Sequence, residues 1–463
     1  MTGAIPQRYA EFLHKIGKAE TDPRQHIGSP TGCAYFDYSE GQPNLYLLMK
    51  FKQALAAEFG IPDGFAVYRN TVARHRDTCL ETRAICRHLD FARVRAAAFS
   101  EIASGGERFV VDPPAVIGVG NHRPLAAETR SFYVACLPEV RIGGRSEVVH
   151  ADRSALIDFQ GAELARIDDE LEFDPAIFSA TRDTISTIVP NRAPGAIEVD
   201  EAFTLLGAHT DFFGHWMWEY LPRYVAARLS GALPPVPLLI DAHIPRSHRQ
   251  ALDLLLDARV PIVEIPAFAE ISVRRLWCAS NLTYMPLHER MNQRFRTEYV
   301  ASPPDRYAPV IEELNRRADD VLGGAAGPPR VFLARRDFRH RRLVNRHKIE
   351  NLASERGFVV AYPENLDFID QVRLVRGARY IIAPEGSALF LAYFAPPGLR
   401  LCILNHQETE GLAIYNGLLR GRRAQITALT GPQVRKHHER SNYADYEIDE
   451  RGFKAFLDEW VGD

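Results

Sequence analysis

The chain has 463 residues, of which 46% are hydrophobic and 25% charged, and its 56 Lys+Arg against 59 Asp+Glu give a formal net charge of -3. These values are ordinary for a globular protein, so a disordered, collagen-like or coiled-coil chain is excluded. At roughly 150 residues per domain, the length indicates about three folding units. Because the charges nearly balance, the chain has no global basic field that would attract nucleic acid or an anionic membrane.

Cysteine usage and hydropathy indicate a cytoplasmic protein. The six cysteines form no CxxC pair and no Cys/His cluster with metal-ligand spacing, which is typical of reduced thiols. The first 20 residues lack the apolar core of a signal peptide, and no run of about 18 uncharged apolar residues occurs. We therefore expect neither a signal peptide nor a membrane-spanning helix.

The amino-terminal third changes its pattern near residue 108. Apolar residues recur at helical spacing over about 45–104, which predicts a helical accessory region at 1–107. Short β-branched and aromatic runs then alternate with Gly and Pro turns over 108–158, which predicts antiparallel strands.

Beyond residue 201, strand-length apolar runs alternate with helical stretches, a pattern that predicts parallel sheets with crossover helices. The alternation is interrupted by the Gly/Pro-rich stretch 323–329, which we interpret as a hinge. We therefore predict two α/β domains, 108–325 and 326–463, the second ending in a helix that closes the fold. Ligands of such paired units usually bind between them, at the carboxyl ends of the strands.

The first candidate site is the stretch from His209 to Arg223. His215, Glu219 and Arg223 follow one another at intervals of four, so they would share one helical face. A carboxylate that orients an imidazole suits a general base, and Asp211 is a second candidate for that role. Two alternatives remain open at this point: an ordinary capped helix with a surface ion pair, and an HxxxE metal pair whose third ligand is not evident.

The second candidate site is a basic cluster at 330–348, with eight Arg+Lys against one Asp. Arginines at the end of a strand can bind the oxygens of a diphosphate in pairs. The alternatives are a solvated basic face and a nucleic-acid patch. Few aromatic residues are interleaved with the arginines, which disfavours nucleic acid.

The third candidate site follows the apolar strand that begins at Tyr380. Glu385, Gly386, Ser387 and Ala388 form a short loop with small residues at the start of a helix. A helix amino terminus offers free N–H groups to a phosphate, and glycine permits its close approach. Such a strand–loop–helix junction is also common as a purely structural feature.

These stretches together resemble glycosyltransferase family 61, of the bacterial capsular polysaccharide type. The resemblance extends over about 110–405 and is carried by HWMWEYLPRY at 215–224, by the arginine-rich run that ends in Asn345, and by the GSAL motif at 386–389. One position departs from the family pattern, because Glu385 stands where members usually carry His just before the glycine.

The resemblance implies a GT-B-like pair of Rossmann-type domains and an inverting, metal-independent transfer from a nucleotide-sugar, with a UDP-sugar as the expected donor and no further cofactor. The implied acceptor is a glycan or a lipid-linked glycan, with peripheral membrane contact if the acceptor is lipid-linked. The implied catalytic residues are Asp211, His215 and Glu219. The implied donor-binding residues are Arg335, Arg336, Arg341, Arg342, Asn345, Glu385, Gly386, Ser387 and Ala388.

A competing hypothesis is a catalytically silent α/β protein that binds a polysaccharide or a nucleotide. The departure at Glu385 favours it. A third hypothesis, nucleic-acid binding through 330–348, predicts strongly salt-dependent binding.

Overall fold

A computed structural model shows a mixed α/β protein whose two main sheets are joined by helices. The structure describes residues 55, 59–71, 78–119, 123–157, 174, 176–181, 183–190, 197–256, 260–267, 269–283, 302–324, 327–336, 341–407, 412–435 and 444–462.

The described α-helices are α1 (Ile61–Thr71), α2 (His88–Arg95), α3 (Phe213–His215), α4 (Leu221–Leu229), α5 (Arg246–Asp253), α6 (Pro304–Leu322), α7 (Arg346–Ser354), α8 (Phe368–Arg376), α9 (Ala413–Leu419) and α10 (Glu450–Trp460). A π-helical turn, Trp216–Tyr220, joins α3 to α4, and 3₁₀ segments occupy Pro363–Asn365, Ser387–Phe394 and Arg420–Arg422. None of the helices in the described ranges is long and apolar enough to span a membrane.

The described strands are β1 (Thr78–Arg87), β2 (Ala98–Ala103), β3 (Arg108–Val111), β4 (Ala115–Ile117), β5 (Leu125–Glu128), β6 (Phe132–Gly143), β7 (Val149–Ala151), β8 (Ser154–Ile157), β9 (Ile177–Ala180), β10 (Thr184–Pro190), β11 (Glu198–Thr204), β12 (Leu238–Asp241), β13 (Ile262–Ile265), β14 (Glu270–Ala279), β15 (Arg330–Leu333), β16 (Val359–Ala361), β17 (Tyr380–Pro384), β18 (Arg400–His406), β19 (Gln425–Gly431), β20 (Gln433–Arg435) and β21 (Asp445–Tyr446).

The first sheet has the strand order β13-β12-β11-β14-β6-β7-β8-β1-β10-β9, with β2 paired to β6. Strands β12 and β14 both run parallel to β11, as the alternating pattern beyond residue 201 predicts, whereas β6 and β7 pair in antiparallel fashion. The carboxyl end of β11 leads into the loop that carries the first candidate site.

The prediction of a helical region over 45–104 is wrong for β1 and β2, which belong to the first sheet. Helices α1 and α2 do lie in this stretch. Strand β1 gains two sheet partners, β8 and β10, and these long-range pairings override the local helical spacing of its apolar residues. Residues 1–54 lie outside the described residues, so the prediction for them is not tested.

The second sheet has the order β16-β15-β17-β18-β19-β4, and all of its pairs are parallel. Its edge strand β4 comes from the predicted antiparallel region, before the predicted hinge. The strand order reverses between β15 and β17, and such a switch point opens a crevice at the carboxyl ends of the two strands. Both remaining candidate sites begin at these two ends.

One hydrophobic core joins the two sheets. It includes Phe203 of β11, Trp216, Tyr307 of α6, Val331 of β15 and Phe394, and each of these side chains is fully buried. Helix α6 packs against both α4, which follows the loop after β11, and the 3₁₀ segment Ser387–Phe394, which follows β17. Apolar packing therefore holds these two parts of the chain together, and we call the space between them the crevice.

The predicted closing helix is confirmed as α10. Phe453, Phe456 and Leu457 are buried on one face of it, against the core under the second sheet. The Asp449 side chain caps the helix by accepting a hydrogen bond of 2.7 Å from the Gly452 N–H.

From its buried histidines, we predict that the folded protein loses stability in acid. Burial lowers the pKa to about 3 for His88 and His243 and to about 4 for His150 and His248. The unfolded chain binds these protons below a pKa of about 6.5. As the pH falls below about 6.5, the unfolded chain binds these protons while the folded protein does not, so each of the four histidines lowers the free energy of unfolding until the pH reaches its folded pKa.

Thermal unfolding of a His88→Gln variant between pH 7 and pH 5 checks this prediction. Its melting temperature is expected to fall less steeply with acid than that of the wild type. The matched control is His347→Gln, because the His347 side chain is 78% exposed. Equal slopes in wild type and His88→Gln would contradict the prediction.

Candidate functional site

The loop after β11 is shaped by close packing of Gly207 against Tyr220. A Cβ atom at Gly207 would lie 2.2 Å from the Tyr220 Oη and 2.5 Å from its ring, so only glycine is accommodated. The Tyr220 hydroxyl accepts a hydrogen bond from the His209 N–H at 3.3 Å and donates one to Glu147 at 2.8 Å. This contact fixes the loop that presents Asp211.

A fully buried carboxyl group, that of Asp241, anchors the same loop. It accepts hydrogen bonds from the Gly207 N–H at 3.1 Å, the Thr210 hydroxyl at 2.6 Å and the Arg145 N–H at 2.6 Å. Burial raises the pKa of Asp241 to about 7, although the three hydrogen bonds act in the opposite direction.

Asp211 forms a buried ion pair with Arg145, with 3.0 Å between Arg145 Nη2 and Asp211 Oδ2. The side chains are 1% and 7% exposed respectively. Arg145 lies outside all three sequence motifs, and the sequence offers no signal for it.

His215 and Glu219 meet as the spacing predicts, with 2.9 Å between His215 Nδ1 and Glu219 Oε1. Both side chains are mostly buried, and the His215 ring stacks on His209 with 4.7 Å between centroids. The pairing at Nδ1 directs the other ring nitrogen, Nε2, to a different partner. This is the geometry of an oriented imidazole.

The π-helical turn Trp216–Tyr220 changes the helical face that the sequence predicts. The turn accommodates one residue more than a regular α-helical turn, so Arg223 does not continue the face of His215 and Glu219. Instead the Arg223 side chain is 1% exposed, and its guanidinium lies 5.2 Å from the centre of the Tyr220 ring. The predicted shared face is therefore wrong for Arg223.

On the opposite side, the ends of β15 and β17 bring two predicted arginines together. Arg341 forms an ion pair with Glu385, and the Tyr415 hydroxyl donates to the same carboxylate at 3.2 Å. A Cβ atom at Gly386 would lie 3.6 Å from Arg335 Nη1, so the Arg335 guanidinium lies beside the loop. Burial and the neighbouring Arg341 charge lower the pKa of Arg335. This cluster is electropositive and partly desolvated.

The other predicted donor-binding residues of the cluster make contacts within the protein. Arg342 binds Asp445 through its backbone N–H at 2.9 Å and its guanidinium at 2.7 Å. Asn345 donates to the Ile448 carbonyl at 2.7 Å, and Arg336, whose side chain is 66% exposed, contacts Glu364. These contacts connect the arginine-rich run to the rest of the second sheet, and donor binding by these three residues stays a prediction.

The two sides of the crevice touch at Gly214 and Ser387. A Cβ atom at Gly214 would lie 3.1 Å from Ser387 Oγ and 3.5 Å from the Phe390 ring. Ser387 and Ala388 begin a 3₁₀ segment rather than the α-helix that the sequence predicts. The contact places the first candidate site, which contains His215, directly opposite the third candidate site, the loop Glu385 to Ala388.

Metal ligands are not grouped in the part of the chain that the structure describes, where no three His, Cys, Asp or Glu side chains converge on one point. The expectation of a metal-independent site stays a prediction.

The family comparison covers this crevice. Residues 213–402 match the glycosyltransferase 61 family. The matched segment is shorter than the predicted resemblance over 110–405, and it supports that resemblance for the residues on both sides of the Gly214–Ser387 contact. It begins just after Asp211 and ends within β18, so Asp211 and Arg145 lie outside it. No curated protein matches the chain.

Gly207→Ala is expected to destabilise the loop after β11, because the new Cβ atom overlaps the Tyr220 ring. We expect a loss of about 1–3 kcal/mol in unfolding free energy, measured by urea unfolding. The matched control is Gly143→Ala in β6, where a Cβ atom meets nothing closer than the Ala269 carbonyl at 3.6 Å. Equal stability of the two variants would show that Tyr220 does not restrain this loop.

Proposed function

We propose that the protein is an inverting, metal-independent glycosyltransferase with a GT-B-like arrangement of its two sheets. The proposal rests on one observation, the contact between Gly214 and Ser387. This contact places the hydrogen-bonded pair His215 and Glu219 opposite the cluster of Arg335 and Arg341. The family match over 213–402 supports the glycosyltransferase part of this proposal.

The donor side stabilises the leaving group in this proposal. Arg335 and Arg341 lie at the switch point between β15 and β17, where parallel sheets bind phosphates. As the bond between the sugar C1 and the diphosphate oxygen breaks, negative charge develops on that oxygen. The guanidinium groups stabilise this charge as it forms.

The acceptor side supplies the base. The acceptor hydroxyl oxygen attacks C1 from the face opposite the diphosphate, so a new glycosidic bond forms with inversion. The hydroxyl proton passes to Asp211 or to His215, and the nucleoside diphosphate departs. Arg145 pairs with the Asp211 carboxylate and holds it in place, and Glu219 orients His215.

The substrates follow from the family resemblance. We propose a UDP-sugar donor and a glycan or lipid-linked glycan acceptor, in bacterial surface polysaccharide synthesis on the cytoplasmic side.

The second candidate function is a catalytically silent binding protein. The ion pair between Arg341 and Glu385 favours it, because Glu385 already compensates the charge of one of the two arginines at the site.

Nucleotide binding is expected to raise the melting temperature without added metal, and UDP is expected to act more strongly than ADP. Arg335→Ala should lower the nucleotide affinity about ten-fold and so reduce the rise in melting temperature, because the guanidinium lies at the proposed diphosphate position. The matched control is Arg274→Ala in β14, since that side chain is 63% exposed and forms an ion pair with Asp200 of β11 in the first sheet.

A wild-type shift that persists unchanged in Arg335→Ala would contradict the assigned donor site. No shift with any nucleoside diphosphate, with or without Mg²⁺, would contradict the transferase proposal. Binding without any sugar transfer or donor hydrolysis would favour the silent binding protein.

The proton-transfer step predicts unequal effects of two substitutions. The variant that removes the base should lose at least about 100-fold in turnover, because general-base catalysis contributes that much, and the other should lose less. We would compare Asp211→Asn with His215→Gln by release of UDP from the donor. Small and equal losses in both variants would exclude both residues as the base.

A further inference from the structure

Arg145 has more hydrogen-bonding capacity than its ion pair uses. Its Nη2 group contacts Asp211 Oδ2 at 3.0 Å and the Ala208 carbonyl at 3.3 Å. Its Nε and Nη1 groups are buried and have no hydrogen-bond partner among the described residues. A buried guanidinium therefore presents N–H groups that the described residues around it do not satisfy.

Two neighbouring groups show the same property. Asp211 Oδ1 and both ring nitrogens of His243 are buried without a partner in the described part of the chain. His243 follows β12, whose last residue, Asp241, binds the Arg145 backbone. Burial and the Arg145 charge lower the pKa of His243 to about 3, so the neutral ring offers one donor and one acceptor at neutral pH.

The backbone of Arg145 is itself held in a rare conformation. Its φ angle of +61° lies in the left-handed region, which a residue with a side chain seldom adopts. The bond from its N–H to Asp241 maintains this conformation. Strain of this kind persists where the surroundings impose it, and it is concentrated at functional sites.

We infer that Arg145, Asp211 and His243 form a subsite that binds hydroxyl groups of a neutral acceptor sugar. A sugar hydroxyl both donates and accepts, so one hydroxyl can donate to Asp211 Oδ1 while a neighbour accepts from Arg145 Nη1. His243 supplies a further donor and acceptor. This inference rests on the proposed function, because it names the acceptor for the same crevice.

Two features favour a neutral sugar over an anionic one. The Arg145 charge is already balanced by Asp211, so an acidic ligand would add an uncompensated negative charge to a buried position. Phe212 is 50% exposed beside Asp211, with its ring packed edge-on to His209 and His215. An exposed aromatic face suits the apolar face of a sugar ring.

The first test is the stability of His243→Phe. If the ring nitrogens are reserved for a ligand, removing them relieves an unsatisfied buried group, and the melting temperature of the ligand-free protein should rise by about 2 °C. The matched control is His88→Phe. Both His88 ring nitrogens have partners, Tyr133 at 2.7 Å and Cys278 at 3.4 Å, so this variant should melt lower than the wild type.

The second test measures sugar binding directly, with methyl β-D-glucopyranoside and methyl β-D-galactopyranoside as probes in saturation-transfer NMR, with and without UDP. We expect binding to the wild type and about ten-fold weaker binding to His243→Phe and to Phe212→Ala. Leu229→Ala is the control for Phe212, because Leu229 is also 50% exposed but lies at the far end of α4.

Three outcomes would overturn the inference. The first is that neither glycoside binds to the wild type, and the second is that the glycosides bind equally well to His243→Phe. The third is that His243→Phe melts at a lower temperature than the wild type, as expected if the polar atoms bind only structural water.

The proposed function can fail independently of this inference. If glycosides bind through His243 but no nucleotide binds, the subsite stands and the transferase proposal does not. If sugar transfer occurs with unchanged acceptor KM in His243→Phe, only the subsite is wrong.

Discussion

The carboxyl group of Asp241 joins three segments of the chain at one buried point. A fully buried carboxyl group must be hydrogen-bonded, and here the partners come from the loops after β6 and β11. The bonds hold Gly207 against Tyr220 and Arg145 in its left-handed conformation. The position of Asp211 follows, because Arg145 carries the charge that pairs with it.

The shared core then determines how this loop faces the second sheet. Helix α6 and the 3₁₀ segment Ser387–Phe394 pack into the same apolar cluster as Trp216, so the contact between Gly214 and Ser387 is a consequence of hydrophobic burial. On one side of the contact, Arg145 and Asp211 form an ion pair. On the other side, Arg341 pairs with Glu385, and the Arg335 guanidinium lies beside the Gly386 loop, where the charges of Glu385 and Glu364 act on it.

The arginine-rich run serves two physical purposes. Arg342 and the neighbouring Asn345 bind the segment at 445–448 and thereby fix the path of the chain after β15. Arg335 and Arg341 remain at the crevice, where Tyr415 and Glu385 position the Arg341 guanidinium. Glu385 thus acts on the neighbouring Arg341. A carboxylate that orients an arginine is compatible with donor binding, although it reduces the net positive charge.

The sequence by itself determined the mixed α/β class, the parallel strands beyond residue 201, the closing helix and the pairing of His215 with Glu219. Each of these depends on local periodicity or on a spacing of four residues, which the chain carries wherever it folds. Only the tertiary structure decided that β1 and β2 are strands and that Arg223 is buried behind a π-helical turn. It also decided that Arg342 forms its hydrogen bonds with Asp445. It alone revealed that Arg145 contacts both Asp211 and Asp241 and that His243 lies near this arginine. These residues are up to about 100 positions apart in the sequence, and sheet pairing brings them together in a way that no local pattern encodes.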